Sequence, residues 1–268
     1  MKKLLSIVLA LALTVFAAAA CAETLTIGAT AVPHAEILEF VKDQLAAEGV
    51  ELEIVVFDDY VQPNQQVEAG DILCNYFQHK PYMDSFNEGN GGHLVAVAGV
   101  HYEPMGIYGG KSSDLSAIPD GAVIGIPNDP SNEARALRLL EVLGIITLSE
   151  DATDTATVLD VAENPYNVDL QEIAAEQLPR QLEDFDFAVI NSNYALEAGK
   201  DVVGEALAVE GTDVSYPNII AVREENVDNE LVQKLIKVLQ SDETVAWITE
   251  TYGTAVIPTT AIEPGSAN

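Results

Sequence analysis

The run Asn128-Asp129-Pro130-Ser131-Asn132, followed by Arg135, joins a helix start to a cation. Asp129 suits the N-cap of a helix and Pro130 its first position. Such a corner offers free backbone N–H groups and the positive end of the helix dipole, a setting that favours a small carboxylate. Arg135 follows one turn later, and a guanidinium can grip a carboxylate through two parallel hydrogen bonds. The chain holds only four arginines: Arg135, Arg138, Arg180 and Arg223. The residues alone leave a second reading open, a surface arginine paired with Glu141 or Asp129.

Three further stretches carry candidate binding groups. Asn75-Tyr76-Phe77-Gln78-His79 ends an apolar segment and precedes Pro81. Its rings and imidazole could line a pocket, and thioethers pack well on aromatic rings. They fit equally a core with one surface histidine. Asp58-Asp59-Tyr60 closes the preceding strand on the same rim, where parallel sheets bind ligands. Asn191-Ser192-Asn193-Tyr194 offers amide acceptors for an ammonium group, or a simple helix cap. Cys74 lies in an apolar segment and reads as a small buried hydrophobe.

Other chemistries find little support. His34, His79, His93, His101 and Glu103 could contribute metal ligands, but they lack a firm ligand spacing. The motifs G-x-S-x-G, H-E-x-x-H and G-x-x-x-x-G-K-[ST] are absent, and Cys74 with His79 lacks an orienting third group. No catalytic residue, metal or cofactor is therefore expected. Lys and Arg total 12 against 43 Asp and Glu, for a net charge of −31. That balance argues against nucleic-acid partners and against lying flat on an anionic membrane.

The elements that would position these groups alternate. Residues 24–30 read as a strand. Ile37, Leu38, Val41 and Leu45 have helical spacing within 33–48, and Gly49 closes that helix. Residues 52–57 form a second strand. This β-α-β start favours a parallel sheet with helices on its faces. Strands are expected at 73–78, 94–108, 123–127, 168–173, 187–191, 206–210 and 218–223, with helices at 130–143, 229–240 and 243–252. The stretch 94–108 is long and contains Pro104, so it could carry the chain between lobes, with 218–223 marking the return. The lobes would then be 21–108 plus 216–268, and 109–215. One continuous doubly wound sheet is the alternative.

Residues 1–20 read as a signal peptide: Lys2 and Lys3, an apolar run to Phe16, then Ala17–Ala20. Cys21 follows at once, as in a lipobox whose thiol takes a lipid anchor. Ala18 stands where leucine is usual, and cleavage after Ala22 is the alternative.

Several segments together resemble one family. They are Pro33-His34-Ala35-Glu36-Ile37-Leu38, Asp59-Tyr60-Val61-Gln62-Pro63-Asn64, Asn75-Tyr76-Phe77-Gln78-His79, Glu103-Pro104-Met105-Gly106, Ile126-Pro127-Asn128-Asp129-Pro130-Ser131-Asn132, Arg135-Ala136-Leu137 and Asn193-Tyr194-Ala195. In this order, from about residue 24 to 258, they resemble the methionine-binding lipoproteins, the substrate-binding components of methionine ABC importers. The resemblance implies an α/β, bilobed periplasmic-binding-protein type II fold with two crossing segments and an interlobe cleft. It places Tyr60, Tyr76, Phe77 and His79 around the ligand's side chain, Arg135 on its carboxylate, and Asn193 and Asn218 on its ammonium, with Asn132 and Asn191 nearby. The implied partners are methionine, an ABC permease with its ATP-binding subunit, and a membrane reached through lipid on Cys21. The implied location is the outer face of the cytoplasmic membrane or the periplasm. Another small amino acid or a short methionine-containing peptide is the alternative ligand. Three departures stand out: Cys74, Glu133-Ala134 before the arginine, and Pro217 before Asn218.

Overall fold

The computed structural model describes residues 22–211 and 216–265. The expected signal peptide and Cys21 lie outside the described residues. The chain opens with β1 (Glu23–Thr30), an irregular turn (Ala31–Ala35) and α1 (Glu36–Ala47). Then come β2 (Val50–Phe57), α2 (Gln62–Ala69), β3 (Cys74–His79), α3 (Lys80–Asn90) and β4 (Leu94–Tyr102). The middle of the chain holds β5 (Gly106–Gly109), β6 (Val123–Pro127), α4 (Pro130–Val142), β7 (Thr147–Leu148) and β8 (Val161–Glu163). It continues with β9 (Asp169–Ile173), β10 (Phe187–Ile190), α5 (Ser192–Glu197) and β11 (Ala208–Val209). β12 (Pro217–Arg223), α6 (Glu230–Leu239), α7 (Asp242–Tyr252) and β13 (Ile257–Pro258) complete it.

The strands form two main sheets, so the continuous-sheet alternative does not hold. The first runs β13-β4-β12-β3-β1-β2 and the second β11-β5-β10-β6-β9. β1 is parallel to both β2 and β3, while β12 is antiparallel to β3 and β4. In the second sheet β6 is parallel to β9 and β10, and β5 is antiparallel to β10. The result is a bilobed α/β architecture with one sheet in each lobe.

Two segments join the lobes. The strand expected over 94–108 breaks at Glu103-Pro104-Met105, because Pro104 has no N–H to extend a ladder. The chain passes there from the first sheet to the second. It returns between Val209 and Pro217, and residues 212–215 of that return lie outside the described set.

Helical periodicity explains how each lobe packs. Ile37, Leu38, Val41 and Leu45 are fully buried against the first sheet's Leu25 and Ile27. Leu137 and Leu140 on α4 do the same against Ile124 and Ile126 of the second. Burying each such side chain contributes roughly 1.5–3 kcal/mol. Cys74 is buried in the first core, as its apolar setting implied. α2 and α3 were not legible in advance. Of α3 only Met83 is buried, so its apolar residues trace no 3.6-residue stripe.

Candidate functional site

Arg135 sits on α4, whose start follows local rules. The Asp129 side chain accepts from the Asn132 N–H at 3.0 Å and Pro130 occupies the first turn. The Asp129 carboxylate also holds the Asn132 amide, with Nδ2 at 3.0 Å from both oxygens. Asn132 Oδ1 then meets His79 Nε2 at 3.1 Å and accepts from Asn191 Nδ2 at 2.9 Å. One capping aspartate thus orients an asparagine that links β3 of one lobe to the β10–α5 corner of the other.

These groups border a cavity between the lobes. It is lined from the first lobe by Tyr60, Phe77, Gln78, His79, Tyr82 and Asn218, and from the second by Asn132, Arg135, Asn191, Ser192 and Asn193. Glu103, in the first crossing segment, completes the lining. The space between these groups, part of it open to solvent, is about 350 Å³.

One part of the wall is aromatic. Tyr60, Phe77 and Tyr82 stand with ring centroids 5.8 Å apart pairwise, and Tyr194 lies 4.8 Å from Tyr60. A bulge in the pairing of β3 with β12 shapes this wall. Ile219 pairs with Gln78 and Ile220 with Tyr76, so Phe77 is an extra residue on β3.

The polar end has a more elaborate electrostatic structure. Arg135 is buried, and its Nε and NH2 edge meets Glu210 at 2.7 and 2.5 Å. NH2 also donates to the Glu103 carbonyl at 2.7 Å, and the Tyr216 ring lies 4.4 Å from Cζ. The partner is therefore neither Glu141 nor Asp129. Among the described residues NH1 has no hydrogen-bond partner.

One imidazole bonds Glu103 from behind and a second stands beside it. His101 Nε2 lies 2.8 Å from Oε1 and His34 Nε2 3.6 Å away. Each ring is fixed through Nδ1, His34 by Thr30 Oγ1 at 2.8 Å and His101 by the Tyr76 hydroxyl. His34 Nε2 also meets Asn218 Oδ1 at 3.0 Å. Burial pushes the Glu103 carboxyl up to about 7, against the opposing pull of His34 and Arg135. Burial lowers His34 to about 4, with Glu103 pulling the other way. It lowers His101 and His79 to about 3, and Arg135 adds to the effect on His79. His34, His101 and Glu103 are close enough to hold a cation, but only by giving up these hydrogen bonds.

The structure brings Tyr60, Phe77, His79, Asn132, Arg135, Asn191, Asn193 and Asn218 together at one cavity. Tyr76 is not among its lining residues. Its ring packs edge-on against His34 at 4.7 Å in the first lobe's core, on the side of β3 facing away from Phe77. Four groups have no binding role in the sequence-based expectation for this cavity: Tyr82 and Glu103, which line it, and Glu210 and Tyr216, which pack on Arg135. Glu103 stood in the sequence only as a metal-ligand candidate and as part of the Glu103-Pro104-Met105-Gly106 motif at the crossing. Glu210 had no signal, because its partner is 75 positions away.

The NlpA lipoprotein family model matches residues 25–260. The chain belongs to the NlpA lipoprotein family. It is similar to a lipoprotein from Ruminococcus gnavus, solved by crystallography, with 52% identity and a TM-score of 0.87 over 88% of this chain and 99% of that one. A nutrient binding protein from Burkholderia cenocepacia, solved bound to methionine, is 40% identical with a TM-score of 0.83, covering 87% of this chain and 99% of that one. The D-methionine-binding lipoprotein MetQ of Escherichia coli K12 is 42% identical over 197 residues, 73% of each chain. Among the described residues of this NlpA-family chain, no helix is long and apolar enough to cross a membrane.

Proposed function

We propose that this chain captures methionine as a zwitterion between its lobes and delivers it to an ABC permease. One observation carries the reading. Asn193 Nδ2, a donor, and Asn191 Oδ1, an acceptor, are both buried at the cavity without a partner among the described residues. Buried polar groups seldom go unpaired. A zwitterion would satisfy both: its carboxylate would take Asn193 Nδ2 and Arg135 NH1, and its ammonium would give to Asn191 Oδ1, Asn218 and Glu103. This reverses the expected role of Asn193, whose Oδ1 already accepts from Tyr60 at 2.5 Å. The thioether would lie among Tyr60, Phe77 and Tyr82, where sulfur–ring contacts are favourable. Tyr76 would act behind the site, by fixing His101.

The small cavity favours a single amino acid over a peptide. Lobes 22–102 with 217–265 and 106–211 would close on it as bodies hinged at the two crossings. Closure strengthens charge-assisted hydrogen bonds by excluding water, and the ligand shifts the equilibrium only by what it gains there. The reading needs no catalytic group. Lipid on Cys21 would hold the protein at the outer face of the membrane, near the permease.

Native mass spectrometry of gently purified protein, followed by calorimetry with methionine, leucine and a methionine dipeptide, tests the proposal. Methionine should bind most tightly. No binding of methionine, or leucine binding equally well, would sink it.

A further inference from the structure

Glu210 does not line the cavity, yet each of its carboxylate oxygens is engaged directly behind it. It lies in the return crossing and is buried. Its Oε1 takes Arg135 Nε at 2.7 Å and its Oε2 takes NH2 at 2.5 Å. Oε2 also accepts from the Met105 N–H at 2.7 Å. The Glu210 N–H donates to the Met105 carbonyl at 2.9 Å. Met105 belongs to the outgoing crossing, and so does Glu103, whose carbonyl accepts from the same NH2 at 2.7 Å. Both connections between the lobes are therefore fastened to one guanidinium.

This arrangement has a chemical consequence. The Nε–NH2 edge is one that can grip a carboxylate through two parallel hydrogen bonds. Here an internal carboxylate fills it, so an incoming ligand finds only the NH1 end. The Tyr216 ring over Cζ restricts the plane further. A guanidinium without these contacts would keep several rotamers open, and ordering it would cost binding free energy.

We infer that Glu210 is a positioning residue for the ligand carboxylate: it occupies the bidentate edge of Arg135, presents NH1 to the cleft, and ties that pose to both crossing segments. The inference rests on the reading of the cleft as a zwitterion site. It adds that carboxylate recognition and lobe geometry share one buried ion pair.

The test uses Glu210→Gln, which keeps the shape and removes the charge, and Glu210→Asp, which keeps the charge but shortens the reach. Affinities for methionine and for methioninol, whose carboxylate is replaced by an alcohol, are measured by calorimetry or ligand-dependent melting. In both variants methionine affinity should fall at least about tenfold, equivalent to ~1.4 kcal/mol. Methioninol affinity should change less than about twofold, so the preference for the carboxylate ligand shrinks. A melting curve of each variant without ligand identifies which one folds, and one folded variant suffices. Equal losses for both ligands would reduce Glu210 to a structural residue, and an unchanged methionine affinity would remove it altogether. Wild-type protein that ignores methionine overturns the ligand reading itself, a result distinct from either.

Discussion

The Tyr60 hydroxyl donates to Asn193 Oδ1 at 2.5 Å across the interlobe cleft. Tyr60 follows β2 in the first lobe and Asn193 lies on α5 in the second. The same boundary is bridged by His79 with Asn132 at 3.1 Å and by the Tyr194 hydroxyl with the Asp58 carbonyl at 3.3 Å. The lobes are therefore closed in this structure. Tyr60→Phe keeps the ring in the aromatic wall and removes the bridge. A buried hydrogen bond contributes about 0.5–1.5 kcal/mol net, so methionine affinity should weaken by that amount, with most of the effect in faster release. Stopped-flow fluorescence would read it. An unchanged release rate would mean that this bridge does not hold the lobes together.

Arg135→Ala removes more than a ligand contact. It strands the Glu210 carboxylate, buried and bonded only to Met105. Breaking a buried pair by deleting one partner costs about 3–5 kcal/mol of stability. Truncating one partner of a charge pair with ligand costs roughly 2–4 kcal/mol of binding. The variant should melt well below the wild type and bind methionine weakly. Calorimetry and thermal unfolding separate the two effects, and a variant with native affinity would exclude Arg135 from the site.

Glu103 gives the binding reaction a pH dependence of definite sign. Its carboxyl is raised to about 7, first by burial. An ammonium beside it favours the charged form and lowers its pKa in the complex. Binding near pH 7 should therefore release protons, and affinity should fall as pH drops below 7, by at most about tenfold per unit. The groups facing Glu103 do not mask this. His34 and His101 are lowered to about 4 and 3 and stay neutral there, and Arg135 stays charged. Calorimetry in buffers of different ionisation enthalpy measures the released protons. Glu103→Gln should abolish the release, and an equal release from that variant would assign it to another group.

What the sequence made legible follows from the range of the forces involved. The Asp129 cap, the Pro130 start and the buried stripe of α1 depend on neighbours within a few residues. They were readable for that reason, as was the clustering of Arg135 with the asparagines once the family motifs were seen in order. The place of Tyr76 came from the family resemblance, whereas plain strand alternation sets it opposite Phe77; that Phe77, Gln78 and His79 all reach the cavity goes with the bulge at Phe77, which is set by β12, over 140 positions later. The pairing of Arg135 with Glu210 and the imidazoles behind Glu103 depend on contacts formed only when the chain crosses between lobes. No local pattern encodes them.

The same imidazoles should make the fold acid-sensitive. His34, His79 and His101 are lowered to about 4, 3 and 3, in each case chiefly by burial. In the unfolded chain they take up protons near 6.5. Between pH 6.5 and about 4 the unfolded state thus binds more protons at these sites than the folded state, and stability falls as pH falls. Glu103 opposes this. Raised to about 7, it binds a proton in the folded state over part of the same range, and Asp129 and Glu133, also raised by burial, join it toward the acid end, so the three imidazoles dominate in the upper part of the range. Each unopposed site contributes a slope of about 1.4 kcal/mol per pH unit. Urea midpoints measured without ligand at pH 7 and pH 5 should show the loss. His101→Gln should lower stability at pH 7, because it disturbs the bonds to Tyr76 and Glu103. It should also flatten the pH dependence by about one proton. A wild-type midpoint constant from pH 7 to pH 5 would show that these rings are not held neutral by the fold.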